Sequence, residues 1–465
     1  MKVKYIVIVL LTFLIVYSIF NVVGSLKSET LFDLNNSKGK ENFQMTDKMS
    51  SNLMMAEFNY LIEKILEVHP DPKRNLNQIS WDELIVETES KLGKPLHIIE
   101  YFVIIQSFVS KLGDSHTYVY PLTIESRVLP LVIQWLGDEL IVTESQIEGI
   151  NRGDKITHIE GKEINQIVDF MAKIISTENE YWIKHLSSQF IRQEMFLSGI
   201  VDVKDEHLTI TVSNIKGDTK NIKIDWVNIE DVNQKGLNEE LWFGFELDQK
   251  NNVGYYFLNE SNVTMEYEQN VQEFFKKVNE LQLDNIIIDL RKNTGGNSGV
   301  VDVFLRHLHD KTYKSFGMIT KFSKSASEQR GYEHIDGYEV QLPSVVQNSQ
   351  VSPTFYGDVY ILVGNSTYSS ANMFATIFHD SGLGTVIGEP TGAAPSSFGD
   401  FLHFDLPYTG FYLIISHKEF SRPDQSLDHD ISLYPDILVK IKREDLINQE
   451  DGQLQRVKKI INNLN

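Results

Sequence analysis

The sequence predicts an α/β protein with a helical N-terminal region, a β-rich middle unit and a larger C-terminal domain of alternating strands and helices. Three observations carry that prediction. From about Leu241 to Leu464, continuous apolar strands such as "NIIIDLR" and "DVYILVG" alternate with helical stretches such as "VQEFFKKVNEL" and "VVDVFLRHL", the pattern of a sheet covered on both faces. From "DKMSSNLMMAEFNYLIEKILEVHP" to "LHIIEYFVIIQSFVSKLGDSHTYV", apolar residues recur at three and four, as on amphipathic helices. Between these regions "VLPLVIQWLGDELIVTES" reads as strand, turn, strand.

Taken in order, residues 1–27 come first. Lys2 and Lys4 precede an uncharged apolar run from Tyr5 to Val23, and Lys27 follows. A run of about 20 residues spans a bilayer, and basic residues at the short end place that end inside and the bulk of the chain outside. The segment reads as a signal anchor; "VVGS" offers a poor site for the alternative, a cleaved signal peptide. Residues 28–49 are polar and aperiodic and read as a linker. Residues 50–124 read as an all-helical domain, its first helix broken by Pro70 and Pro72. Residues 125–240 form the β-rich unit, and 241–465 the C-terminal domain.

Composition removes several functions. A formal net charge of −21 over 465 residues argues against nucleic acid as a partner, because that needs basic surface. Membrane contact is expected through the N-terminal segment only. There is no cysteine, so disulfides, thiolate nucleophiles and cysteine-ligated metals are excluded.

The stretch "GNSTYSSANMFATIFHDSG" sets a polar knot, Ser366 to Ser370, against a helical stripe of Ala371, Phe374, Ala375 and Phe378. Serines there are ordinary helix N-caps. They also sit where helix N–H groups favour a negative charge, such as the oxyanion of acyl transfer. "NTGG", after the strand "IIIDLR", lets the backbone approach a ligand closely; it lacks the lysine and spacing of a P-loop. Asp289 and Arg291 read as a structural ion pair. His307 and His379 have no third partner at metal-ligand spacing and read as helix-end histidines.

Two resemblances sharpen these readings. In "IEGINRGDKITHIEGKEINQIVDFMAKII" a Gly-Asp strand, a Glu160-Gly161 turn and a helix follow in order, which resembles a PDZ domain. Across the chain "GDSHT", "DLRKNTGG", "STYSSANMFA", "IGEPTG" and a terminal "DHDISLYPDI" occur in that order. Together they resemble the carboxyl-terminal processing protease and tricorn protease superfamily of serine peptidases. The resemblance implies a ClpP/crotonase-like catalytic domain acting on peptides or protein C-termini, with no cofactor and no metal. By it Ser369 is the nucleophile, with Ser370 and Ser366 as local competitors, and the N–H groups of Gly295 or Gly296 and of Ser370 hold the oxyanion. One branch of the superfamily places a lysine base after the Gly-Glu-Pro-Thr strand; "GEPTGAAPSSFGD" has none. The tricorn-like branch uses an upstream histidine, here His116, oriented by its neighbour Ser115 and a late acidic residue. Asp428 is the choice for that acid, Asp430 the runner-up, and Lys418 the base to consider should His116 fail. The rival reading is a non-catalytic peptide-binding protein on the same fold.

Overall fold

The computed structural model describes residues 43–76, 80–124, 126–203, 206–228 and 241–464. The segment read as a signal anchor lies outside them. Among the described residues no helix is long and apolar enough to cross a membrane.

Helices α1 (Ser51–Val68), α2 (Trp81–Leu92) and α3 (Ile98–Ser110) form where the periodicity predicts. α1 stops ahead of Pro70, and His69 beyond its end is fully buried. Glu57 of α1, also buried, accepts the Tyr408 and Thr409 amides at 2.6 and 2.8 Å, which ties the helix to the C-terminal domain. Two details correct the sequence reading. The end of the linker is structured, with Lys48–Met49 pairing against Leu96–His97. The helical region also closes on a strand, β1 (Tyr118–Tyr120), which pairs with Tyr412–Ile414 of the C-terminal domain.

In the middle unit β2 (Leu131–Leu136), β3 (Glu139–Ser145) and β4 (Lys155–Ile159) precede α4 (Ile164–Ile174) and α5 (Glu180–Phe190). Strands β5 (His207–Ser213) and β6 (Thr219–Asp225) complete an antiparallel sheet of order β2-β3-β4-β5-β6. The turn before α4 takes positive φ at both Glu160 and Gly161.

The C-terminal domain is a mixed α/β layer structure. Its main sheet runs β7 (Phe243–Asp248), β8 (Val253–Leu258), β9 (Asn285–Asp289), β10 (Asp358–Val363), β11 (Thr385–Gly388) and β14 (Ile437–Leu438), parallel from β8 onward. Side chains alternate about it as a two-sided sheet requires. Ile286 and Ile288 of β9 pack with Phe274 of α6 (Met265–Glu280) and with Phe374 and Phe378 of α7 (Ser370–Ser381). Ile287 faces the opposite way, toward Val457 and Ile461 of the final helix (Gly452–Leu464). A second sheet contains β12 (Ser397–Asp405) and β13 (Tyr412–Ser421), to which β1 attaches. One apolar core joins this sheet to the earlier regions, through Phe58, Phe102, Ile156, Leu402 and Leu413.

Candidate active site

Ser369 stands at the turn from β10 into α7. Thr367 closes that turn, its hydroxyl donating to the Leu290 carbonyl at 2.8 Å and accepting the Gly364 amide at 3.0 Å. Ser369 has φ 51° and ψ −126°, a conformation that L-residues rarely adopt. Such strain persists only where the surroundings impose it and clusters at functional sites. Although Ser369 holds the N-cap position, its side chain caps nothing. Its Oγ lies 3.1 Å from Nε2 of His116 instead, so the plain N-cap reading fails.

The "NTGG" turn packs directly against it. Asn293, fully buried, anchors the turn: its amide donates to the Leu258 carbonyl, and its Oδ1 accepts from Ser261 and from the Gly295 N–H at 2.8 Å. That last bond corrects one expectation, since the Gly295 N–H is already committed. The Ser370 hydroxyl donates to the Gly296 carbonyl at 2.6 Å and so bridges the turn to the helix. Ser370 is thereby a structural hydroxyl. The amides of Gly296 and Ser370 make no hydrogen bond among the described residues.

His116 arrives from the loop between α3 and β1. Asp114 folds that loop: its carboxylate accepts the His116 amide at 2.9 Å, the Thr117 hydroxyl, and Nε2 of His69 at 3.1 Å. Burial alone would raise Asp114, yet His69, His116 and Thr117 hold it down at about 2. His116 is 4% exposed. Burial lowers its pKa below the ordinary histidine value; Asp114, Asp400 and the Phe398 carbonyl pull the other way and recover only part of that shift. A neutral imidazole facing a hydroxyl can accept its proton.

The expected helpers of His116 are arranged differently. Ser115 does not hydrogen-bond the imidazole. Its amide and hydroxyl donate to Oε1 of Glu178 at 3.0 and 2.9 Å, and it accepts from the Tyr368 hydroxyl at 2.8 Å. Asp428 is exposed, and its carboxylate accepts from Ser396, with no bond to His116. Asp430 binds the guanidinium of Arg422, a fully buried residue also held by Asp380. The late acidic turn is therefore organised around Arg422. Sequence reasoning missed Glu178, one of two carboxylates in "STENEYW", with no periodic or motif signal. Burial first, and Asp114 second, push it up to about 7.

Asp114, His116 and Glu178 each present a possible ligand atom within 4.8 Å of the others, the one such group among the described residues. It overlaps the Ser–His pair, and Asp114 already accepts three donors. Lys418 is bound to Asp400 at 2.6 Å. Burial pulls its pKa down but Asp400 outweighs it, so Lys418 stays a charged donor and no base. Arg291 bridges Asp289 and Asp451, each at 2.6 Å, as a structural ion pair.

Comparison with known proteins adds the family. Residues 252–437, which hold the glycine turn and Ser369, match the family description of peptidase family S41. The C-terminal domain is a peptidase family S41 domain. The chain is accordingly a serine-type peptidase. Its fold is similar to that of mature CPAF complexed with lactacystin, with TM-score 0.67 and 14% identity over 88% of this chain and 98% of that one. Mature CPAF alone gives TM-score 0.66 at 14% identity, covering 88% and 97%. His116 and Glu178 lie outside the matched S41 segment, so the S41 domain receives the partner of its serine, and a carboxylate near that partner, from earlier parts of the chain.

Proposed function

We propose that this S41 peptidase hydrolyses peptide bonds through an acyl-enzyme on Ser369, and the observation that carries the reading is the 3.1 Å contact from His116 Nε2 to Ser369 Oγ. Ser369 Oγ attacks the scissile carbonyl carbon while its proton passes to His116 Nε2. The oxyanion so formed faces the uncommitted amides of Gly296 and Ser370, donors of the kind that lower such barriers. His116 then returns the proton to the leaving amine, and water, deprotonated by the same ring, cleaves the acyl-enzyme. The substrates are peptides or protein C-termini, with the middle unit taking an extended chain as an added strand.

A fluorophosphonate probe followed by peptide mapping tests this. Ser369 is the expected site; modification of Ser366 or Ser370 in its place overturns the assignment. The labelling rate should hold to pH values below the ordinary histidine pKa of about 6.5 and then fall with acid, because the neutral imidazole is the active form and burial keeps it neutral. Peptides with a free C-terminal carboxylate should protect Ser369 better than their amidated forms, and equal protection removes the chain-end preference.

We also propose that residues 1–27 tether the protein with its peptidase outside the cytoplasm. Lys2, Lys4 and the apolar run from Tyr5 to Val23 support this. Protease treatment of intact cells should release a soluble fragment starting near the polar linker. A full-length chain that survives such treatment but not cell lysis reverses the orientation.

A further inference from the structure

The imidazole of His116 is held in an uncommon way. Its Nε2 meets Ser369, while Nδ1 is buried and has no hydrogen-bond partner among the described residues. A carboxylate or carbonyl at Nδ1 is the usual means of fixing the ring plane of a catalytic base. Here the Phe398 carbonyl attracts the ring without closing a hydrogen bond to Nδ1, and a stacked ring face supplies the further restraint. Tyr368 stacks on His116 with centroids 4.7 Å apart and planes 22° from parallel. Trp182 stacks on Tyr368 at 3.9 Å and 7°, and His185 on Trp182 at 4.8 Å and 20°. The last ring is anchored in turn, His185 Nδ1 lying 2.9 Å from Ser366 Oγ.

We infer that Tyr368 and Trp182 are positioning residues, whose stacked rings set the plane of the His116 imidazole so that Nε2 points at Ser369. Each ring is fixed by independent bonds. The Tyr368 hydroxyl donates to Ser115, which donates to Glu178, and the Tyr368 amide donates to the Asn293 carbonyl at 3.1 Å. Burial and the nearby Glu178 keep the phenol protonated as that donor. The Trp182 amide donates to Asn179, whose own amide reaches the Gly392 and Ile431 carbonyls across the cleft between the units. Gly392 leaves room for the indole: a Cβ there would fall 2.7 Å from Trp182 Cε3. Ser115 and Glu178 thus act on the base through Tyr368, without touching the imidazole. Trp182 belongs to the middle unit, so that unit helps to complete the catalytic geometry.

The inference rests on His116 being the base, and the test separates the two. The variants are Trp182→Leu, which removes the ring, and Trp182→Phe, which keeps one. The readouts are kcat, KM and the acid limb of the rate, with the His116 Cε1–H resonance in selectively labelled protein. Trp182→Leu should lower kcat on the order of tenfold to a hundredfold, as small misplacements of reacting groups do, with KM changed by no more than about twofold. Trp182→Phe should recover most of the loss. The groups facing His116 are Asp114 on its own loop, Asp400 on β12, Glu178 ahead of α5 and the Tyr368 phenol. All remain in Trp182→Leu, so exposure of the ring to water should move the acid limb to higher pH. In the wild type, stacking on Tyr368 should shift the His116 resonance upfield by ring current. A folded Trp182→Leu with unchanged kcat and unchanged acid limb overturns the inference. Should that variant not fold, the absence of an upfield shift in the wild type overturns it equally. A normal rate in His116→Ala would instead remove the assignment of the base, whatever the resonance shows.

Discussion

Ser369→Ala and His116→Ala should each lower kcat on a cleavable peptide by on the order of a thousandfold or more, and the double variant should be hardly worse than either. The reason is geometric. Two serine hydroxyls of the S41 segment meet an unprotonated ring, Ser369 on His116 and Ser366 on His185, but it is Ser369 that stands against the glycine turn and the Ser370 amide, and its activation needs both partners. Once either is gone, the other has nothing to activate or nothing to activate it. Additive losses in the double variant would mean that the two act independently, which this arrangement forbids. Asp428→Ala should leave kcat close to wild type, because that carboxylate is exposed and bonded to Ser396.

Gly295→Ala should be nearly as damaging by a different route. Gly295 has φ +108°, and a Cβ there would lie 2.6 Å from Ser369 Cβ and 3.1 Å from both Ser369 Oγ and the Ser370 amide nitrogen. The methyl group strikes the nucleophile and the oxyanion donor together. A displacement of about 1 Å in reacting groups can cost about a hundredfold in rate, and forcing an L-residue into this backbone region costs about 1–3 kcal/mol. Kinetics and thermal unfolding of the same preparation should show both losses. Gly137 supplies the control: it has φ +58° with open space around its missing Cβ. Gly137→Ala should cost stability without touching kcat. Wild-type activity in Gly295→Ala would show that the turn lies farther from the reacting atoms than the structure has it.

What could be read in the sequence follows the range of the interactions. The strands of the main sheet and the helix after Ser369 are local patterns, and period and apolar runs reveal them. Ser369, His116 and the glycine turn were legible because each lies in a short motif whose order along the chain resembles a family. The surroundings of the histidine were not. Glu178 and Trp182 reach the site only when the start of α5 docks on the S41 domain through Asn179, and nothing in "STENEYW" announces that docking. The choice of Asp428 failed for a related reason. A cluster of acids near the C-terminal end suggests a partner for the base, but Asp430 satisfies Arg422, whose complete burial is a tertiary fact, and Asp428 accepts from Ser396. Tyr368, next to the nucleophile, stands in the sequence as one residue of a polar knot, and its ring is what faces His116.

The contact between His116 and Ser369 joins positions 253 residues apart. During synthesis the ribosome makes the base 253 residues ahead of the hydroxyl it serves. Throughout that interval the growing peptidase carries half of its chemistry and can cut neither itself nor its neighbours. Any break in the polypeptide between those positions that lets the halves part silences it. The long interval works as a safety interlock, in which hydrolysis waits until both positions are made and folded together.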